Sequence, residues 1–206
     1  MDAPRVSFVE RSAGDAAPCH WRVERIVHPD LTVWVSVSDD HEGELLTGVS
    51  LGSRDSLEAR ARRCGARLVG DEQRRPRSRA ATQLLEYLEG ERERFDLRVL
   101  APAHSSEFER RAWAALTRIP FGQTRSYAEQ ARMLQSPGAA RAVGRANARN
   151  GVAIVIPCHR VIGSDGTLTG FAGGLALKRW LLAHEGVRLS REAGPRPVPR
   201  DQLALF

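Results

Sequence analysis

Hydrophobic positions alternate in the first hundred residues and fall at helical spacing in the second. Leu31-Thr32-Val33-Trp34-Val35-Ser36-Val37 alternates and is β-branched, which predicts a strand. Trp21-Arg22-Val23 and Leu45-Leu46-Thr47-Gly48-Val49 offer it partners, with Asp39 to Gly43 as the turn before the latter. Ser56 to Cys64 and Ala80 to Gly90 have helical composition, and Leu84, Leu85 and Leu88 form an apolar stripe in the second. Gly70 to Ser78 is a polar connector.

From residue 103 the period lengthens. Ser106 and Glu109 form a capping-box pair ahead of Phe108, Ala112, Ala115, Leu116 and Ile119 at helical spacing, and Pro120-Phe121-Gly122 ends that element. Ser126 and Glu129 repeat the capping pattern for a short helix reaching about Leu134. Ser136-Pro137 then offers an N-cap and first-turn proline for another. Two short helices joined by a tight turn predict a helix-turn-helix. Ile154-Val155-Ile156 reads as a short buried strand ending at Pro157, and Leu175 to Glu185 as a helix stopped by Gly186. The fold class expected is an α/β N-terminal domain, with a small, mainly antiparallel sheet and helices, in residues 1–102. A mainly α C-terminal domain, with the helix-turn-helix and the short strand leading to Cys158, follows in 103–190. Residues 191–206 are expected to form a Pro-rich tail.

Charge sharpens this picture. The formal net charge is +6, but residues 1–102 hold 16 basic and 18 acidic side chains, whereas 103–206 hold 15 and 7. The second half therefore carries the field that attracts a polyanion. Arg141, Arg145 and Arg149 share one face of a helix whose other residues are nearly all small, so a phosphate backbone can approach closely. The alternative is an Ala-rich helix packed on a neighbour with solvated arginines opposite.

No apolar run is long enough to span a bilayer, and Met1-Asp2-Ala3-Pro4-Arg5 lacks the pattern of a secretion signal. Cys19, Cys64 and Cys158 are an odd number with no close pair, which points to a reducing compartment and a cytoplasmic protein. Cys19-His20 with His28, His41 and Cys64 matches no standard zinc spacing, so no metal or other cofactor is expected.

The chemistry concentrates at Cys158-His159-Arg160. A thiol beside two groups that can carry positive charge is placed to exist as thiolate, the nucleophilic form; the plain alternative is a buried structural cysteine. Glu185 is one of two acidic residues between Cys158 and the tail, and a carboxylate can orient a histidine that activates a nucleophile. Gly170-Phe171-Ala172-Gly173-Gly174 offers an aromatic face beside flexible backbone, suited to closing over a flat ligand or to acting as a hinge.

Pro157-Cys158-His159-Arg160-Val161 resembles the active-site signature of the O6-alkylguanine-DNA alkyltransferases. The likeness runs from about Phe108 through Gly186 and includes Ile119 to Gly122, Ser126-Tyr127, Ala139 to Gly144, Asn150 and Leu181 to Gly186. It implies single-turnover, irreversible transfer of an alkyl group from O6-alkylguanine to Cys158 after base flipping, and leaves open whether O4-alkylthymine is a further substrate. On that resemblance His159 activates Cys158 through a water, Glu185 orients His159, and Asn150 braces the site. Tyr127 contacts the flipped nucleotide and protonates the leaving guanine. Arg141 fills the vacated place in the stack. Ala140, Gly144 and Arg145 lie on the helix that enters the minor groove of double-stranded DNA. Val161, Phe171, Ala172 and Gly173 line the guanine pocket. Ala172 departs from relatives that carry serine there, which removes a hydroxyl contact.

Ala193 to Arg200 is Pro-rich and reads as an extended linker. Gln202-Leu203-Ala204-Leu205-Phe206 resembles the peptide by which bacterial proteins bind the sliding clamp, with Gln202, Leu203, Leu205 and Phe206 as its contacts. A monomer without membrane attachment is expected. The competing readings are a lesion-sensing DNA-binding protein without transfer and a Cys-His-Glu hydrolase.

Overall fold

The computed structural model describes residues 6–9, 20–70, 78–101 and 104–189. Cys19 and the clamp-like peptide 202–206 lie outside them. The described residues divide into two compact units: those up to Ser105 with Gly151–Val155, and Ser106–Asn150 with residues 156–189.

In the first unit, the alternating run around Val35 becomes β3 of a six-stranded sheet. Its strands are β1 (Val6–Val9), β2 (His20–Val27), β3 (Thr32–Asp40), β4 (Gly43–Ser50), β5 (Arg67–Gly70) and β6 (Leu97–Leu100), in the order β1-β6-β4-β3-β2-β5. The centre, β2-β3-β4, is antiparallel. The outer strands pair in parallel, β5 on β2, β6 on β4 and β1 on β6. The mainly antiparallel sheet expected is thus its three-stranded core. β5 and β6 each arrive after a helix, α1 (Arg54–Arg63) and α2 (Arg79–Leu88), and a helical crossover returns the chain parallel. These four-residue strands carry too little alternation to stand out in the sequence.

Val33, Val35 and Val37 are wholly buried, and Trp21, Leu45, Ala61, Ala66 and Leu100 form one packed cluster. Arg60 of α1 is buried in this unit. Its Nε donates to the Thr47 carbonyl (2.5 Å) and its Nη2 to the Leu100 carbonyl (3.3 Å).

The segment before Cys158 is not the strand its pattern predicts. Only Val152 forms a bridge, with Val49, whose N–H donates to the Gly151 carbonyl at 2.9 Å. The chain then turns, with Ile154 at φ 70°, a left-handed conformation that a β-branched residue rarely adopts. Ile154, Val155 and Ile156 are each about as buried as strand residues, and continuous burial is all that such a run encodes.

The second unit contains α3 (Glu107–Leu116), β7 (Arg125–Ser126), α4 (Tyr127–Met133), α5 (Ala140–Ala148), a 3-10 turn (Cys158–Arg160), β8 (Val161–Ile162) and α6 (Gly174–His184). Both capping boxes form, with reciprocal bonds between Ser106 and Glu109 and between Ser126 and Glu129. Ala112, Ala115, Ala131, Leu134, Val143 and Ala146 pack α3, α4 and α5 through small side chains.

Two buried polar links fix their register. Trp113 Nε1 donates to the Ala146 carbonyl (2.9 Å), and Gln130 and Asn147 exchange amide bonds of 2.8 and 3.2 Å. The cap expected at Ser136-Pro137 does not form. Residues 136–139 make a turn closed by Ala139 N–H to the Ser136 carbonyl, and α5 starts at Ala140 without a side-chain cap. β7 and β8 pair in parallel, Arg125 opposite Val161. α6 ends as a Schellman motif. Gly186 at φ 76° donates to the Ala183 carbonyl, and Val187 donates to that of Leu182.

Candidate active site

Cys158 opens the 3-10 turn that follows Pro157, and its own N–H donates to the Ile156 carbonyl at 2.9 Å. Asn150 lies just past the α5 C-cap, Arg149. Its Nδ2 donates to the Ile156 carbonyl (2.7 Å) and to Cys158 Sγ (3.2 Å). The end of the helix-turn-helix is thereby tied to the sulfur.

His159 is wholly buried. Its Nε2 lies 2.8 Å from Glu185 Oε1. An ionised carboxylate only accepts, so Nε2 carries the proton and Nδ1 of the neutral ring is a lone-pair acceptor. Nδ1 is buried with no protein partner. Burial pushes the His159 pKa down against the opposing pull of Glu185, which keeps the imidazole neutral and able to accept a proton.

Glu185 stands at the α6 C-cap, where the helix dipole disfavours an anion. Arg160 offsets this with a fork: Nε to Oε2 and Nη2 to Oε1, both 2.9 Å. Gly122 N–H adds a bond to Oε2 at 3.2 Å. Burial alone would raise the Glu185 pKa, but the hydrogen bonds from His159 and Arg160 and the charge of Arg160 hold it down at about 2. Arg160 in turn donates to the Ile119 carbonyl (2.6 Å) and lies over the Phe121 ring at 5.9 Å.

The expectation of a standing thiolate is corrected. Cys158 is half-buried as a residue, and burial pushes its thiol pKa up, against the bond from Asn150 and the charge of Lys178. Arg160 is committed to Glu185 and His159 is neutral, so neither supplies the positive charge expected of the basic dipeptide. Lys178 supplies it, a residue that no sequence pattern singled out. Its legible signal is that it is the only lysine in the chain.

Tyr127, the first residue of α4, directs its hydroxyl to the Thr169 carbonyl at 3.4 Å. A Cβ on Gly144 would lie 3.7 Å from its ring, so α5 passes close to it. Arg141 and Arg145 are exposed on α5, Ala140 and Gly144 are half-buried, and Arg149 is paired with Glu109 at 2.6 Å. Val161 is buried, Phe171 and Gly173 are half-buried and Ala172 is exposed. A Cβ on Gly173 would come within 2.7 Å of Leu177 Cδ2, the terminal methyl of that side chain. Among the described residues no cluster of three His, Cys, Asp or Glu side chains could hold a metal ion, and no helix is long and apolar enough to cross a membrane.

Residues 107–187 match the family model "6-O-methylguanine DNA methyltransferase, DNA binding domain". A methylated-DNA–protein-cysteine methyltransferase of Mycolicibacterium paratuberculosis is 55% identical over 106 residues, 52% of this chain and 63% of that protein. The enzyme of the same name from Methanosarcina acetivorans is 51% identical over 107 residues, 52% of this chain and 67% of its own length. The chain thus spans about two thirds of the curated relatives it matches. The crystal structure of Mycobacterium tuberculosis OGT in complex with DNA superposes with a TM-score of 0.64 at 38% identity, covering 81% of this chain and 93% of that one. With the cysteine, histidine and glutamate joined in the geometry above, the chain belongs to the methylated-DNA–protein-cysteine methyltransferase family, the O6-alkylguanine alkyltransferases.

Proposed function

We propose that this protein repairs O6-alkylguanine in duplex DNA by moving the alkyl group to Cys158 Sγ, once per molecule. The observation that carries this reading is a cysteine held by Asn150 beside a neutral histidine whose outer nitrogen has no protein partner and whose inner one is fixed by Glu185.

His159 Nδ1 takes the thiol proton through a bridging water, and Glu185 stabilises the imidazolium that forms. Sulfur attacks the alkyl carbon; the S–C bond forms as the C–O6 bond breaks, and the electron pair leaves with the base. The Tyr127 hydroxyl gives its proton to the departing guanine, and water then carries the proton held by His159 back to the tyrosinate. The product thioether is a poor leaving group, so no second turnover follows. Since O6 is out of reach in the stack, the nucleotide must flip. Arg141 takes its place, while α5 enters the minor groove with Ala140 and Gly144 allowing close approach and Arg145 meeting phosphate. Val161, Phe171, the backbone of Ala172 and Gly173 line the base pocket.

The finer parts of the reading are that O4-alkylthymine is also a substrate, that the protein acts in the cytoplasm as a monomer, and that Gln202, Leu203, Leu205 and Phe206 hold it to the sliding clamp. Deleting 202–206 should abolish clamp capture and leave transfer on a short duplex unchanged; retained capture rejects that peptide. The reaction itself is tested with excess O6-methylguanine duplex. Repaired duplex should plateau at one per protein molecule. Continuing product release would indicate a hydrolase, and tight binding without repair a lesion sensor.

A further inference from the structure

The last turn of α5 is pinned from two neighbouring helices, and the residue that touches the sulfur follows directly on it. The Ala146 carbonyl accepts from Arg149 N–H (3.1 Å) and from Trp113 Nε1 of α3 (2.9 Å). The Asn147 carbonyl accepts from Asn150 N–H at 3.1 Å, and the Asn147 side chain is held by Gln130 of α4. Asn150 Nδ2 donates to Cys158 Sγ at 3.2 Å. A line of hydrogen-bonded residues thus runs from α3 through Gln130, Asn147 and Asn150 to the reacting atom. Neither Gln130 nor Asn147 touches that atom itself.

The polarity of the line is set at its far end. The Ala112 carbonyl can only accept, so the Nε2 end of Gln130 faces α3 and donates to it at 3.1 Å. Nε2 also donates to Asn147 Oδ1 (3.2 Å), and Asn147 Nδ2 donates back to Gln130 Oε1 (2.8 Å). Neither amide can turn over without setting oxygen against oxygen. Both side chains are buried, and an apolar pair of similar volume would fill the same space at little loss of stability. Filling the core therefore does not account for two amides. Register does. α3, α4 and α5 meet through alanines with Leu134 and Val143, and such shallow surfaces interlock weakly, which leaves directional bonds to stop one helix sliding on another.

We propose that Gln130 and Asn147 are positioning residues for alkyl transfer: their amide pair holds the last turn of α5 in register, so that Asn150 Nδ2 stays within bonding distance of Sγ. A hydrogen bond to an anionic sulfur is stronger than one to a neutral thiol, so the benefit falls on the thiolate that attacks. The bond from Asn150 accordingly lowers the Cys158 pKa against the effect of burial. This rests on Cys158 being the alkyl acceptor, but its test needs no DNA.

The test is a mutant cycle read by iodoacetamide modification of the Cys158 peptide from pH 6 to 10. Its corners are wild type, Gln130→Leu/Asn147→Leu, Asn150→Ala and the triple variant. The paired leucines leave no buried amide without its partner. They should raise the pH midpoint of modification by about one unit and slow the reaction at pH 7 by about tenfold, as Asn150→Ala should. In the Asn150→Ala background the same leucines should change the rate by less than about twofold.

Leucines that slow modification equally with and without Asn150 would make the pair a packing feature, and an unmoved midpoint would detach it from the sulfur. Either result overturns the proposal. If the leucine variants do not fold, hydrogen exchange in wild type and Cys158→Ala decides, because a pair that steadies Asn150 on the sulfur is steadied by it in return. The side-chain amide protons of Gln130 and Asn147 should exchange at least about threefold faster in Cys158→Ala, and equal rates overturn the proposal. Failure of wild type to repair O6-methylguanine while these results hold would fault the functional reading and not the role of the pair.

Discussion

Replacing Glu185 by glutamine changes one atom in a carboxylate that serves three donor groups. Its oxygens accept from His159 Nε2, from Arg160 Nε and Nη2, and from Gly122 N–H. A glutamine oxygen can keep two of these bonds, and the NH₂ end would face donors. The size of the loss follows from the titration of the carboxyl. Its pKa falls from 4.5 unfolded to about 2 folded, and a drop of that size corresponds to about 3 kcal/mol of stability. Because the folded pKa is depressed, the contribution is complete above pH 4.5 and disappears as pH falls toward 2. The variant should therefore be less stable by about 3 kcal/mol at neutral pH, in line with breaking a buried ion pair. In a chain of this size that is a melting point lower by about 6–12 °C.

The advantage of wild type over the variant should shrink as pH drops below 4.5. Catalytically, the histidine loses both the acceptor that fixes its tautomer and the charge that stabilises its protonated form, which should slow transfer by about 100- to 10,000-fold. Urea denaturation gives the first quantity and single-turnover repair of an O6-methylguanine duplex gives the second. A folded variant that transfers within about threefold of wild type, or that loses less than about 1 kcal/mol, would refute the reasoning.

Other substitutions probe separate links. Asn150→Ala removes the donor to Cys158 Sγ and to the Ile156 carbonyl, so transfer should slow by about 10-fold or more with about 1–2 kcal/mol lost from stability; an unchanged rate would detach Asn150 from the sulfur. Arg145→Ala, on the exposed face of α5, should weaken damaged and undamaged duplex alike and reduce the salt slope of binding by about 0.9, with the fold untouched; an unaltered slope would exclude phosphate contact there. Gly151→Ala would drive a Cβ into Arg60 Nη1, whose guanidinium is already anchored to the Thr47 and Leu100 carbonyls. Urea titration should show a loss of about 1–3 kcal/mol, and a neutral result would mean that Arg60 moves freely.

Features encoded within a few residues were legible in the sequence. The capping boxes at Ser106 and Ser126 and the stop at Gly186 are local chemistry, and each stands where its pattern points. The pairing of His159 with Glu185 spans 26 residues, and nothing local fixes it; the α6 terminus and the Arg160 fork bring the carboxylate back. Where an apolar run is buried on all sides, its pattern reports burial and not conformation, which is why Ile154 to Ile156 reads as a strand and folds as a turn. Ser136 precedes a proline but leaves α5 uncapped, because residues 136–139 close a turn of their own. Lys178 sits among Leu177, Leu181 and Leu182 in an amphipathic helix, where a single cation ordinarily marks the solvent side. Only its rarity in an arginine-rich chain distinguishes it.

The central claim is covalent, so intact mass tests it most directly. Wild-type protein and Cys158→Ala are incubated with a duplex carrying one O6-methylguanine and weighed. Wild type should gain about 14 Da stoichiometrically, mapped to the Cys158 peptide, and the variant should gain nothing. An unmodified wild-type mass with the lesion repaired, or a gain that persists in Cys158→Ala, would contradict transfer to this thiol.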